Sequence, residues 1–268
     1  MRHASPFIKF NKLVFYASLI LLLVSCWQRN DFPEDLSVAP ELHEPPVQRR
    51  VESAPFTVTH NDVDYEIKPL HEYDLHGLVV SYAHHDGNYS LHRLWNDHIN
   101  VADVCVVWSE NANGTDLNHF KFWNGKFTCN FKTRDSGAWE RFRENQISNN
   151  HLLTDDSYIR KKIEQVRIGD QIRMRGWLVN YSNDKGFTRG TSTSRDDRGN
   201  GACETIYLED FRILQSLNNS WRMLMHLALS GIIGTSLLWI HIAMRIDYRK
   251  GYSREALVPL PASRQVDP

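Results

Sequence analysis

VRIGDQIRMRGWLVNY, residues 166–181, sets the reading of the whole chain. Gly169-Asp170 is a helix stop followed by a turn residue. From Gln171 onward Ile172 and Met174 alternate with Arg173 and Arg175, the period of two expected of a half-buried strand, here over residues 171–181. Upstream, SYIRKKIEQV (157–166) places Ile159, Ile163 and Val166 on one helical stripe, with Asp155, Asp156 or Ser157 as its cap. Downstream, a Gly/Ser/Thr/Asp-rich loop over 185–201 leads to a last strand over 202–214.

Further toward the N-terminus the signals are again mostly strand. Residues 62–70 and 75–83 are rich in β-branched and aromatic side chains, with Gly77 as a bulge candidate, and 101–109 is a near-continuous apolar run of strand length. HFKFWNGKFTCNFK (119–132) reads as a hairpin turning on Asn124-Gly125. A two-residue turn there sets Trp123 against Lys126, Phe122 against Phe127 and Phe120 against Cys129. Phe120, Phe122, Phe127, Cys129 and Phe131 then share one buried face. A short helix follows over 136–146, with Ser136 as cap and Trp139 and Phe142 on one side.

Strands, hairpin, helix, strand, loop and strand form the element order of an OB-fold, a Greek-key barrel with a helix between its third and fourth strands. The stretch 166–181 resembles the fourth strand of small OB-like barrels. The expected class is therefore α+β, mainly β, with an OB-like domain flanked by two membrane helices. DVCVVWSEN, ISNNHLL, IGDQIRMRGWLVNY and RGTSTSRDDRGNGACETIYLEDF are similar to segments of a bacterial envelope protein family, anchored in the inner membrane with a periplasmic domain. That resemblance implies a location and no activity.

The 268 residues carry 31 Lys+Arg against 32 Asp+Glu, a net charge of −1 that argues against coating nucleic acid. Four cysteines are too few for a disulfide scaffold. Those averages conceal two apolar segments. Residues 13–27, LVFYASLILLLVSCW, follow a basic region, 1–12, that holds Arg2, Lys9 and Lys12. They read as a signal anchor or as a lipoprotein signal, since Leu23-Val24-Ser25-Cys26 resembles a lipobox and makes Cys26 a lipidation candidate. Residues 223–244 contain no formally charged side chain and are followed by Arg245, Arg249 and Lys250. By the positive-inside rule both ends, including the tail 245–268, face the cytoplasm, and the residues between face the periplasm of a bacterium. Residues 28–55 carry most of the acids and prolines ahead of the domain and read as an extended tether. Residues 56–220 form the domain. In the second span, Ser230 with Gly234 and Gly231 with Thr235 are small-residue pairs able to seat another helix.

Three constellations carry candidate chemistry. RGTSTSRDDRGNGACE (189–204) reads either as an anion-binding loop, with Arg189 and Arg195 as clamps and Asn200 and Glu204 as further ligand contacts, or as a solvated connection. Cys203 is a nucleophile candidate with His151 as base, although no cysteine-hydrolase signature surrounds them. In an oxidising compartment Cys105 and Cys129 are the first choice for a bridge. His84, His85, Asp86, His92 and His98 cluster locally, but they read as solvated or hydrogen-bonded, and neither a metal nor a cofactor is expected. Basic residues from Arg160 to Arg175 read as a solvated face, not a nucleic-acid surface. The resulting expectation is a membrane-anchored binding or assembly module with an envelope protein or glycan partner. The alternative is a Cys-dependent hydrolase or transferase using Cys203 and His151.

Overall fold

In the computed structural model the described residues are 6–85, 91–113, 116–194, 196–197 and 203–255. They divide into a polar unit, Asn30–Asn218, and a second unit made of the two terminal segments, Met1–Arg29 and Asn219–Pro268. In chain order the elements are α1 (Pro6–Gln28), β1 (Val47–Arg50), β2 (Phe56–His60), β3 (Val63–His84), α2 (Leu91–Leu94), β4 (Asn100–Val107) and α3 (Glu110–Asn113). Then come β5 (Phe120–Asn124), β6 (Cys129–Thr133), α4 (Ser136–Arg141), β7 (Ile147–Leu153), α5 (Ser157–Ile163), β8 (Gln171–Asn183), β9 (Thr188–Arg189), β10 (Glu204–Gln215) and α6 (Ser220–Glu255). The protein is thus a mixed α+β chain with one large sheet and an apolar helix near each terminus.

The sheet is organised by β3. The two strands expected at 62–70 and 75–83 are one strand of 22 residues, running through Pro69 and Gly77. It pairs antiparallel with β4 on one side and β8 on the other. β4 pairs with β7, β7 runs parallel to β10, and β10 pairs with β8, so the pairings return to β3. Gly77 is not a bulge, since it lies in register opposite Ile172, and the irregularities fall at Pro69/His71 and Val79/Ser81. A Cβ on Gly77 would stand 2.8 Å from the Cβ of Val106, so the missing side chain makes room for a core valine. β7 was hidden from pattern reading, because ISNNHLL has no clean alternation, yet its residues beyond Ile147 are all buried.

The core lies on both faces of β4. Ala102, Val104 and Val106 join Leu75, Ile172, Met174 and Phe211 in the largest cluster, closed at one side by Ile159 and Ile163 of α5. Asp156 caps that helix through Tyr158 and Ile159 N–H groups. On the opposite face Cys105 and Val107 pack with Leu42, Leu78 and Leu117. Leu42 corrects the tether expectation. Phe32, Leu36 and Val38 pack into this cluster, Ala39 N–H donates to Gln171 Oε1, and β1 pairs with β3. The prolines of residues 28–55 remove backbone donors, but the apolar side chains between them still bury, and the segment from Asn30 belongs to the domain.

The hairpin register also differs from expectation. Phe120 pairs with Thr133, Phe122 with Phe131 and Asn124 with Cys129, leaving Gly125, Lys126, Phe127 and Thr128 as a four-residue loop. The slip is even-numbered, so Phe120, Phe122, Cys129 and Phe131 keep a common face, and Phe127 alone is released from it. Two anchors account for the register. Cys129 is disulfide-bonded to Cys105, and Asn124 Nδ2 donates to the Asp103 carbonyl at 3.3 Å.

In the terminal unit, α1 starts at Pro6, well before residue 13, and its 23 residues reach about 35 Å at ~1.5 Å per residue. Pro6–Gln28 and Ser220–Arg245 are long and apolar enough to cross a membrane, which is compatible with membrane anchoring. The two helices touch through Gly231 and Thr235. A Cβ at Gly231 would meet Ser18, and Asn11 Nδ2 donates to the Thr235 carbonyl at 3.3 Å. Ser230 and Gly234 are outside that contact, with nothing within 4 Å of a Cβ built on Gly234 and the Ser230 hydroxyl returned to the His226 carbonyl.

One position tests the strand pairing directly. A Cβ on Gly176 of β8 would lie 2.0 Å from the Tyr207 carbonyl oxygen, and that obstacle is backbone. Gly176→Ala is expected to destabilise the polar unit by about 2 kcal/mol or more, read as a lowered denaturant midpoint for the loss of its tertiary signal. An unchanged midpoint would contradict the close approach of β8 and β10.

Candidate functional site

Alternation along β4 decides where the site forms. With Val104 and Val106 committed to the larger cluster, Asp103 points to the same face as Cys105. β7 sets His151 directly opposite Asp103 and Asn149 opposite Cys105. His151 Nδ1 donates to Asp103 Oδ1 at 2.5 Å, and His85, just beyond β3, donates Nε2 to the same oxygen at 2.9 Å. Asp103 is 1% exposed and His151 2%. Burial pushes the Asp103 carboxyl up, but the charges and hydrogen bonds of His151 and His85 override it and hold the group well below the carboxylate range. Burial pushes the His151 imidazole down, Asp103 opposes, and Arg189 and His85 add to the lowering.

A second pair stands beside the first. His92 stacks on His85 with ring centroids 3.8 Å apart and donates Nδ1 to Asp97 Oδ2 at 2.7 Å. The Tyr181 hydroxyl donates to Asp97 as well, 2.9 Å from each oxygen. Phe127, released by the hairpin register, covers the group. Its ring is 5.1 Å from His92, 5.4 Å from Trp95 and 6.2 Å from His151, and the Arg189 guanidinium lies 4.2 Å over its face. Its backbone is left-handed at φ 60°, a conformation that costs about 1–2 kcal/mol for an L-residue; the aromatic and cation–π contacts offset that cost.

His151, Arg189, Cys203, Phe127 and Thr191 line one cleft of ≈ 570 Å³. The sequence-derived candidates Cys203, His151 and Arg189 therefore converge, drawn from β7, β9 and the approach to β10. Arg189 Nη1 is buried and has no hydrogen-bond partner among the described residues. Cys203 is half-buried, its thiol donates to the Phe127 carbonyl at 3.2 Å, and burial pushes that thiol up. Glu204 is buried at the start of β10 and is not among the residues that line the cleft. Arg195 and Asn200 lie outside the described residues, as does Asp86. Cys26 is exposed on α1. Asp103, Asp97, Tyr181 and Phe127 escaped sequence reading. The one available signal for Asp103 was a lone acid inside VADVCVV, a run otherwise fit for burial on both faces.

Comparison with protein-family models, curated proteins and solved structures returned no match to this chain. The site is therefore read from its own geometry.

The ionisation pattern fixes a pH response. Unfolded His151 protonates near the ordinary value of about 6.5, whereas the buried ring protonates only at lower pH. Between those values the unfolded chain holds more protons, so stability is present above this window and falls as pH drops through it. His60 and His76, also pushed down by burial, act with the same sign. Asp103 adds a further loss below about pH 4, the unfolded carboxylate range. Urea titrations from pH 7.5 to 5 should therefore show declining stability, and His151→Gln should flatten the slope by up to about one proton. A slope unchanged in His151→Gln would mean the ring is not buried neutral.

Proposed function

We propose that the chain is a membrane-anchored binding module of the bacterial envelope, with an OB-like periplasmic domain that receives an anionic group. The observation that carries the reading is the Arg189 guanidinium, stacked on Phe127, with a buried Nη1 donor left without a partner among the described residues, in a cleft. A buried unpaired donor costs about 1–3 kcal/mol, and a carboxylate or phosphate oxygen supplies the complement with charge assistance. Neighbouring Thr128 and Thr191 add hydroxyls and Lys126 a second cation, with no carboxylate among the described residues that line the cleft.

Support for the OB-like reading comes from the order β3-β4-β7-β10-β8 and from α5 between the third and fourth of these strands in sequence. OB-folds bind oligonucleotides and oligosaccharides over their second and third strands and the flanking loops. Here the equivalent strands, β4 and β7, hold Asp103 and His151, and the equivalent loops hold His92 and Arg189. The basic residues beside the two apolar segments support cytoplasmic ends, and the Cys105–Cys129 bridge supports an oxidising compartment for the domain. The partner in this reading is an anionic envelope glycan or an acidic segment of an envelope protein. Lipidation at Cys26 remains part of the proposal as an alternative anchor, decided by the mass of the mature N-terminus.

A photo-crosslinker at exposed Thr193 should capture that partner in living cells. Arg189→Ala should reduce the yield roughly tenfold, the scale of one charged hydrogen bond. Equal capture by the Arg189→Ala chain would remove the basis for the reading.

A second reading, a Cys-dependent hydrolase or transferase, is favoured by one observation, the Asp103–His151 pair on the same cleft as Cys203. Opposing it, the thiol is held protonated by burial and bonded to a backbone carbonyl. Cys203 should react with iodoacetamide at pH 7 no faster than an ordinary thiol. Fast labelling that is lost in His151→Gln would restore the catalytic reading.

A further inference from the structure

We propose that His85, His92 and Asp103 bind a divalent first-row transition cation of the Zn²⁺ type. One ligand atom from each of the three residues lies within 4.8 Å of the other two. The sequence separates these residues and assigns no metal to them; pairing of β3 with β4 brings Asp103 to the histidines.

Three features distinguish this group from hydrogen-bonded histidines in a core. His92 is 4% exposed, yet its Nε2 is buried with no partner among the described residues. Its Nδ1 lies 2.7 Å from Asp97, so in the neutral ring the proton resides on Nδ1 and Nε2 presents the lone pair that a cation would take. Asp97 is in turn held by the Tyr181 hydroxyl, 2.9 Å from each of its oxygens. A carboxylate behind the far nitrogen of an imidazole is the arrangement that orients metal-binding histidines and raises their basicity. Last, Asp103 is a buried carboxylate whose Oδ1 already gathers two imidazole nitrogens, at 2.5 and 2.9 Å, which sets an oxygen donor among nitrogen ligands in a low-dielectric setting.

Two imidazoles and one carboxylate match the donor preferences of Zn²⁺, Co²⁺ or Fe²⁺ and not those of Ca²⁺ or Mg²⁺. Metal–ligand distances near ~2.1 Å require the three atoms to draw together. The movement falls to His85, which is the least buried of the three. Its Nε2 exchanges the Asp103 hydrogen bond for the cation, and its proton moves to Nδ1, leaving a neutral ring on the metal. Asp103 keeps the His151 hydrogen bond at 2.5 Å, so that imidazole becomes a supporting donor behind the ligand.

The test uses the full chain in detergent, stripped with chelator and titrated with Zn²⁺ alone by calorimetry, with bound metal counted by mass spectrometry. Co²⁺ substitution, read in the visible spectrum, reports nitrogen and oxygen ligation without thiolate. Wild type should take up a single equivalent, and His92→Gln and His85→Gln should each abolish it. Asp97→Asn should weaken binding roughly 10–100-fold. His119→Gln, at an exposed His–Asp cluster, Cys203→Ser and Arg189→Ala should bind as wild type, so the outcome is separate from that of the anion site. If His92→Gln fails to fold, His85→Gln carries the test, because His85 sits at the sheet margin. Absence of uptake by wild type overturns the proposal, and so does full uptake by folded His85→Gln.

Discussion

A carboxylate removed from water needs donors on every side or it takes up a proton, and Asp103 is nearly completely removed. Its two imidazole donors come from β7 and from the residue that follows β3, so one charge ties β4 both to β7 and to the end of β3. The neighbouring backbone is drawn into the same arrangement. The Asp103 carbonyl accepts from Asn124, which anchors the hairpin, and the hairpin brings Phe127 over the group. Phe127 in turn carries the Arg189 guanidinium. Replacing Asp103 by an apolar residue would remove the reason for the positions of two histidines, a hairpin and a cation at once.

Electrostatically the site is a graded stack. Asp97 and Asp103 form its negative floor, His85, His92 and His151 its polarizable middle, and Phe127 with Arg189 its lid. Each layer adjusts the one beneath. Arg189 favours the neutral form of the His151 imidazole, and the carboxylates orient the rings through the nitrogens they face. Cys203 stands at the border of this stack and is tied to it through the Phe127 carbonyl.

Much of the architecture was legible from pattern, because burial on one face leaves a period in the sequence. β8, β10, α5 and the two apolar helices were readable for that reason, and residues such as Ile172 and Met174 marked them. β7 was not, because Asn149, Asn150 and His151 are buried by pairing with polar neighbours, which leaves no hydrophobic alternation to read. The hairpin register was misread since Asn124-Gly125 satisfies a local rule, while Cys129 and Asn124 answer to partners on β4. Residues 28–55 looked too proline-rich to fold, but the docking sites for Phe32 and Leu42 lie on distant strands. The cleft was half legible. Arg189, His151 and Cys203 stood out by residue type, whereas Asp103 and Phe127 gained meaning only once β4 and the hairpin were placed.

The single strand β3 also dictates an order of events. Leu78 must wait for Gln171 and Tyr65 for Asn183, so its β8 edge stays open until most of the polar unit has been synthesised. Contacts this distant in sequence make folding slow relative to local hairpins. During that interval a long, β-prone edge is available to other chains. Pro69, which donates no backbone hydrogen bond, and the charged Glu66, Lys68 and Glu72 alternate along that edge and discourage such pairing.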